Sequence, residues 1–167
     1  MHAAVALLPA LCFLAALVAF DSYKLVRLRT VLGVIVLGGL TAVASYFANL
    51  VALDGLELQF REYSRFVAPA IEESLKAMVI LLLMRGERIG FLVDAAIFGF
   101  AVGTGFALIE NLFYLQSLPD AHIAVWIVRG FGTAVMHGGV QAIFAVILLA
   151  LGERRGATDP GAVLPPL

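Results

Sequence analysis

FVAPAIEESLKAMVILLLMRG, from Phe66 to Gly86, is apolar enough to cross a membrane, except that Glu72, Glu73 and Lys76 fall within little more than one helical turn. A spanning helix needs about 20 mostly apolar residues, and an ionisable residue inside one costs roughly 2.5–3.5 kcal/mol on insertion scales. Such residues therefore face the interior of a helix bundle or a wet cavity, and they mark function. Whether that applies here depends on the rest of the chain. Of its 167 residues, 62% are hydrophobic and 14% charged, with a mean hydropathy of +1.02. Soluble domains have about 45–50% apolar and about 25% charged residues. The chain reads as an integral membrane protein, and the stretch as one of its spans.

Working outward, five apolar segments satisfy the length criterion: residues 3–20, 31–53, 66–84, 91–115 and a last one ending near Leu151. The first lacks a basic leader and a clear small-residue cleavage site, and is read as a mature helix. The last apolar run starts at Ala121 and is interrupted by Arg129. Its opening, DAHIAVWIVRG, reads as an interfacial piece with Trp126 and Arg129 near the headgroups, which leaves residues 131–151 to span.

Orientation follows from the loop cations. Lys24, Arg27, Arg29, Arg85, Arg88, Arg154 and Arg155 fall on one side; Arg61, Arg65 and Arg129 fall on the other, beside Asp54, Glu57, Glu62 and Asp120. The N-terminus is expected outside and the C-terminus inside. The fold class expected is thus all-α, a polytopic transmembrane bundle of five spans. Residues 1–152 form a single membrane domain, and 153–167 a short flexible cytoplasmic tail.

The net charge of -1 says nothing about nucleic acid, and with no basic patch interleaved with aromatics no nucleic-acid partner is expected. The lone Cys12 can form no intrachain disulfide and reads as a small buried apolar residue.

Once the loops are set aside, the ionisable residues within the spans are Glu72, Glu73, Lys76, Glu110 and His137, with Asn111 and Gln141 as neutral companions. Asp94, near the inner end of its span, is read as solvated. Counted from the outer ends of their segments, Glu72, Glu110 and His137 all lie about 7–9 Å deep at 1.5 Å of rise per residue. Lys76 stands i+4 from Glu72 and i+3 from Glu73, within reach of either. Phe106 and Glu110 are i,i+4, as are His137 and Gln141. Glycines accompany them (Gly99, Gly103 and Gly105 in one span, Gly130, Gly132, Gly138 and Gly139 in the next), and Gly99–Gly103 has the GxxxG spacing that lets membrane helices approach closely.

A carboxylate can take a proton from a trapped water and make it a nucleophile, and a histidine can donate to the oxyanion of an attacked carbonyl. Peptide hydrolysis fits this set. So do a proton relay or transporter, a metal-dependent enzyme, and a noncatalytic membrane binding or immunity protein. No inverted repeat supports a transporter. There is no H-E-x-x-H and one histidine at the site depth, which argues against zinc; no metal and no cofactor are expected.

APAIEESLKAMVI, DAAIFGFAVGTGFALIENLFY and RGFGTAVMHGG, in that order, resemble the three signature regions of the PrsW family of glutamic intramembrane proteases, in the superfamily shared with CAAX-type prenyl endopeptidases. FDSYK after the first span is similar to the family's early aspartate region, and the resemblance runs from about Phe20 to Gln141. It implies an intramembrane endopeptidase in which Glu72 or Glu73 activates water, with Glu110 and His137 completing the site. Within it, the roles expected are Glu72 as base, Glu73 as second carboxylate and Lys76 as its ionic partner. Glu110 would be an acid or water-orienting group, and His137 the oxyanion donor, supported by Asn111, Gln141 and Phe106. It also implies a membrane-protein substrate, with an anti-sigma factor as the family's best-known one, in the cytoplasmic membrane of a bacterium or archaeon. Two departures stand out. Gln141 occupies the place where CAAX-type relatives commonly carry Asn, and the chain is short, so a homo-oligomer could complete the bundle.

Overall fold

The computed structural model describes residues 1–21, 26–56, 58–86 and 89–158, all helical apart from short connections and with no strand among them. Most of FDSYK, Lys24, Glu57, Arg88 and the tail 159–167 lie outside the described residues. Helix α1 is His2–Phe20 and α2 is Leu28–Gly55. A third rod is built from α3 (Phe60–Glu62), a π-helical segment (Tyr63–Val67) and α4 (Ala68–Arg85). Helix α5 is Leu92–Ser117. The fifth rod consists of α6 (Ile123–Ile127), a second π segment (Val128–Thr133) and α7 (Ala134–Thr158).

Four helical stretches are long and apolar enough to cross a membrane: His2–Phe20, Leu28–Gly55, Leu92–Ser117 and Ile123–Arg154. The remaining rod is the one that carries Glu72, Glu73 and Lys76. The architecture is therefore the expected all-α transmembrane bundle.

Helix α5 is the axis. Its buried residues include an unbroken run from Ile97 to Ala107. Small residues explain how its neighbours come so close. A Cβ on Gly103 would strike the His137 backbone of α7, one on Gly99 the backbone at Gln141, and one on Gly105 the Ile35 carbonyl of α2. Gly38 of α2 lies in the same way against the Val102 carbonyl. With no hydrophobic drive between helices in lipid, this close packing is what joins them. Helix α1 covers a third side of α5 and rests on the second π segment. Pro9 gives that contact its form. Lacking an N–H, it cannot bond the Val5 carbonyl one turn earlier, and Gly130 packs directly onto that carbonyl. Helix α4 leans mainly on α2, with lighter contact to α5 and α7.

Four residues differ from the sequence reading. Trp126 is wholly buried and stacks on His2, with ring centroids 6.0 Å apart. Together with Arg129 it faces the protein rather than forming a separate interfacial piece, and the helical rod is continuous from residue 123 to 158. The reason is that α1 and α5 offer both side chains polar or aromatic partners inside the bundle. Cys12 is exposed on the outer face of α1, not buried. Asp94 is 7% exposed, so it is not a solvated terminus.

Candidate active site

The polar residues of α4, α5 and α7 meet in one place. Lys76 has no accessible surface, and its ammonium donates to Glu73 Oε1 at 2.5 Å and to His137 Nδ1 at 2.9 Å. The spacing allowed Lys76 to pair with either acid; the fold selects Glu73. The other oxygen of Glu73 accepts from Gln141 Nε2 at 2.7 Å. The i,i+4 step on α7 therefore puts Gln141 on the Glu73 carboxylate directly and His137 on it through Lys76, with His137 Nδ1 itself 3.8 Å from Glu73 Oε1. Phe106 closes the inner side: the Lys76 ammonium lies 4.2 Å from its ring centroid, and the His137 ring 5.0 Å away.

Because Nδ1 of His137 accepts from an ammonium, the imidazole proton belongs on Nε2 in the neutral ring. Nε2 lies 3.3 Å from Glu110 Oε2 but makes no well-formed hydrogen bond. A buried donor left in that condition calls for an explanation, and a catalytic role is one. Glu110 is held from its far side by Arg129, whose Nη2 is 3.1 Å from the same oxygen. The sequence reading missed Arg129 as part of the site, since a lone arginine flanked by aromatics and followed by a span looks like a headgroup anchor. The available signal was the pairing of an acid, Glu110, with no cation on its own helix.

Glu72 stands apart. It is half-buried, within electrostatic range of Glu110, Lys76, His137 and Glu73, yet makes no hydrogen bond or ion pair among the described residues. Two of the three site-bearing rods also carry a π segment shortly before the site: Val67 ends one five residues before Glu72, and Thr133 ends the other four residues before His137. Such bulges are frequent at functional sites. All eight residues singled out in the sequence lie in or beside this cluster, although Asn111 contributes through Arg129, which donates from Nε to Asn111 Oδ1 at 2.9 Å.

A family model described as "PrsW family intramembrane metalloprotease" matches residues 24–164. The chain belongs to the PrsW family. No curated protein and no solved structure matches it. Membership supports a membrane protease acting on membrane-protein substrates in a lipid bilayer.

The family's description names a metal, and the donors in this cluster can be tested for one. Glu73 has one oxygen on the Lys76 ammonium and the other on the Gln141 amide, and His137 Nδ1 also faces that ammonium. Glu110 Oε2 faces the Arg129 guanidinium. A dication would have to displace resident cations to reach these donors. Among the described residues no group of three or more His, Cys, Asp or Glu side chains is arranged to hold a metal ion. In this arrangement the residues do not fit a metal centre.

Proposed function

We propose that this PrsW-family protein hydrolyses a peptide bond of a membrane protein with water activated by Glu72, near the outer face of the membrane. The observation that carries this reading is the division of labour between two adjacent acids. Glu73 is fully engaged by Lys76 and Gln141, whereas Glu72, one residue away, is unengaged beside the same charges. A carboxylate with no partner is the one able to bind a water and take its proton.

In the reaction, the Glu72 carboxylate accepts a proton as the water oxygen attacks the scissile carbonyl carbon. The oxyanion then receives the Nε2–H of His137, whose tautomer Lys76 fixes from the opposite nitrogen. Glu72 returns its proton to the amide nitrogen as the C–N bond breaks, releasing an amine and a carboxylic acid. Glu73 and Lys76 supply fixed charge and hold His137, and Glu110 orients its ring.

An outward-facing site follows from the lysine and arginine asymmetry of the loops, and an extracytoplasmic segment of a membrane-bound regulator, such as an anti-sigma factor, suits that placement. The test is mass-spectrometric detection of new termini in a library of membrane-segment peptides reconstituted with the purified protein. Wild type is expected to generate discrete termini, and folded Glu72→Gln none. Identical termini from both would remove Glu72 from the chemistry.

A further inference from the structure

Arg129 is 14% exposed and lies within the second π segment, with three separate engagements. Nη2 pairs with Glu110 Oε2 at 3.1 Å, Nε donates to Asn111 Oδ1 at 2.9 Å, and the guanidinium lies 3.6 Å from the centroid of the Tyr114 ring. Asn111, itself 1% exposed, is fixed in turn by donating from Nδ2 to the Ala6 carbonyl of α1 at 2.8 Å. Next along the chain, Gly130 seats the π segment on the Val5 carbonyl that Pro9 leaves free. The guanidinium is therefore held by α1 and α5 while it holds Glu110. Glu110 presents to His137 Nε2 the same oxygen that Arg129 grips.

We propose that Arg129 is a positioning residue of the hydrolytic site, fixing the Glu110 carboxylate that orients His137, and that α1 acts on the site by fixing Arg129 through Asn111. The inference rests on the hydrolytic reading for its effect on rate, but not for its effect on His137. A planar guanidinium suits this task because it grips the carboxylate, the amide and the aromatic face at once. A lysine offers a single point charge. The π segment supplies the means: an extra residue per turn rotates Arg129 into the bundle, away from the phase that a regular helix would give it. All of α1 precedes the family-matched region, which begins at residue 24, whereas Glu110, Asn111 and Arg129 lie within it.

The experiment compares wild type with Arg129→Gln and Arg129→Lys in detergent, reading kcat, KM and the histidine side-chain 15N–1H signals. The His137 signal is assigned by its loss in His137→Gln. Arg129→Gln is expected to lower kcat about 10- to 100-fold with KM within about twofold, as a displaced catalytic group does. The His137 Nε2 signal should move in the same variant. Arg129→Lys should recover only part of kcat, since an ammonium can still meet Glu110 but cannot hold Asn111 and the Tyr114 face at the same time. Wild-type kcat in Arg129→Gln, or an unmoved His137 signal, would overturn the proposal. If Arg129→Gln does not fold, Asn111→Ala replaces it, with a smaller loss of kcat and the same signal shifted; no change in either overturns the proposal. If wild type cleaves no substrate, the hydrolytic reading fails, and an unmoved His137 signal still refutes the positioning role.

Discussion

Lys76 has no accessible surface, yet it carries a charge into the middle of an apolar bundle. What makes this tolerable is the geometry around it: a carboxylate, an imidazole nitrogen and the face of Phe106. Removing one partner of a buried ion pair leaves the other uncompensated, at a cost of about 3–5 kcal/mol. Lys76→Met is therefore expected to lower stability strongly, and Glu73→Gln to do so in part, since its side chain is 37% exposed and solvent screens some of the charge. Glu72→Gln breaks no hydrogen bond or ion pair among the described residues and should leave the unfolding midpoint within a degree or two of wild type. Thermal unfolding of the three variants in one detergent checks the ranking; a Glu72→Gln protein as unstable as Glu73→Gln would show that the two acids share the structural load. The sequence could place both glutamates and the lysine on one turn. It could not say which acid the lysine takes, because i,i+3 and i,i+4 are equally reachable until α7 supplies Gln141 and His137.

At the scale of the helix, glycine positions determine what meets what. Gly103 lets α7 lie against α5 at the level of His137, and a side chain there would collide with backbone rather than with a movable side-chain end. Gly103→Val should separate the two helices, at a cost of about 1–3 kcal/mol or more for an overpacked contact, and displace His137 from Lys76. Gly139, with open space around its Cβ position, is the control: Gly139→Ala should be silent. Cleavage and unfolding measured on both variants test this, and equal loss in both would refute it. The GxxxG spacing made the close approach legible in advance. The π segments were not legible. A run such as VRGFGT has no periodicity that separates a π turn from an α turn, and the interfacial reading of Arg129 followed from treating it as an interruption of the apolar run. The partners that draw Arg129 inward, Glu110 and Asn111, lie on another helix.

For the whole molecule, composition alone indicated an integral membrane helical bundle, and five apolar segments indicated its rods. The depth count brought Glu72, Glu110 and His137 to one level before any contact was known. Depth says nothing of azimuth, however, and only packing around α5 shows that these residues face one another. The assembled site is a chain of polar contacts running from Glu73 through Lys76, His137 and Glu110 to Arg129. Its cations are the side chains of Lys76 and Arg129, each paired with a carboxylate. The most direct test of a metal-free, glutamate-driven hydrolysis is the cleavage rate of wild-type protein dialysed against a strong chelator, measured beside Glu72→Gln in the same preparation. The expected result is an undiminished wild-type rate and a loss of at least about 100-fold in Glu72→Gln, the low end of what removing a general base costs. Loss of the wild-type rate on dialysis with recovery on adding zinc, or full activity in Glu72→Gln, would contradict the account.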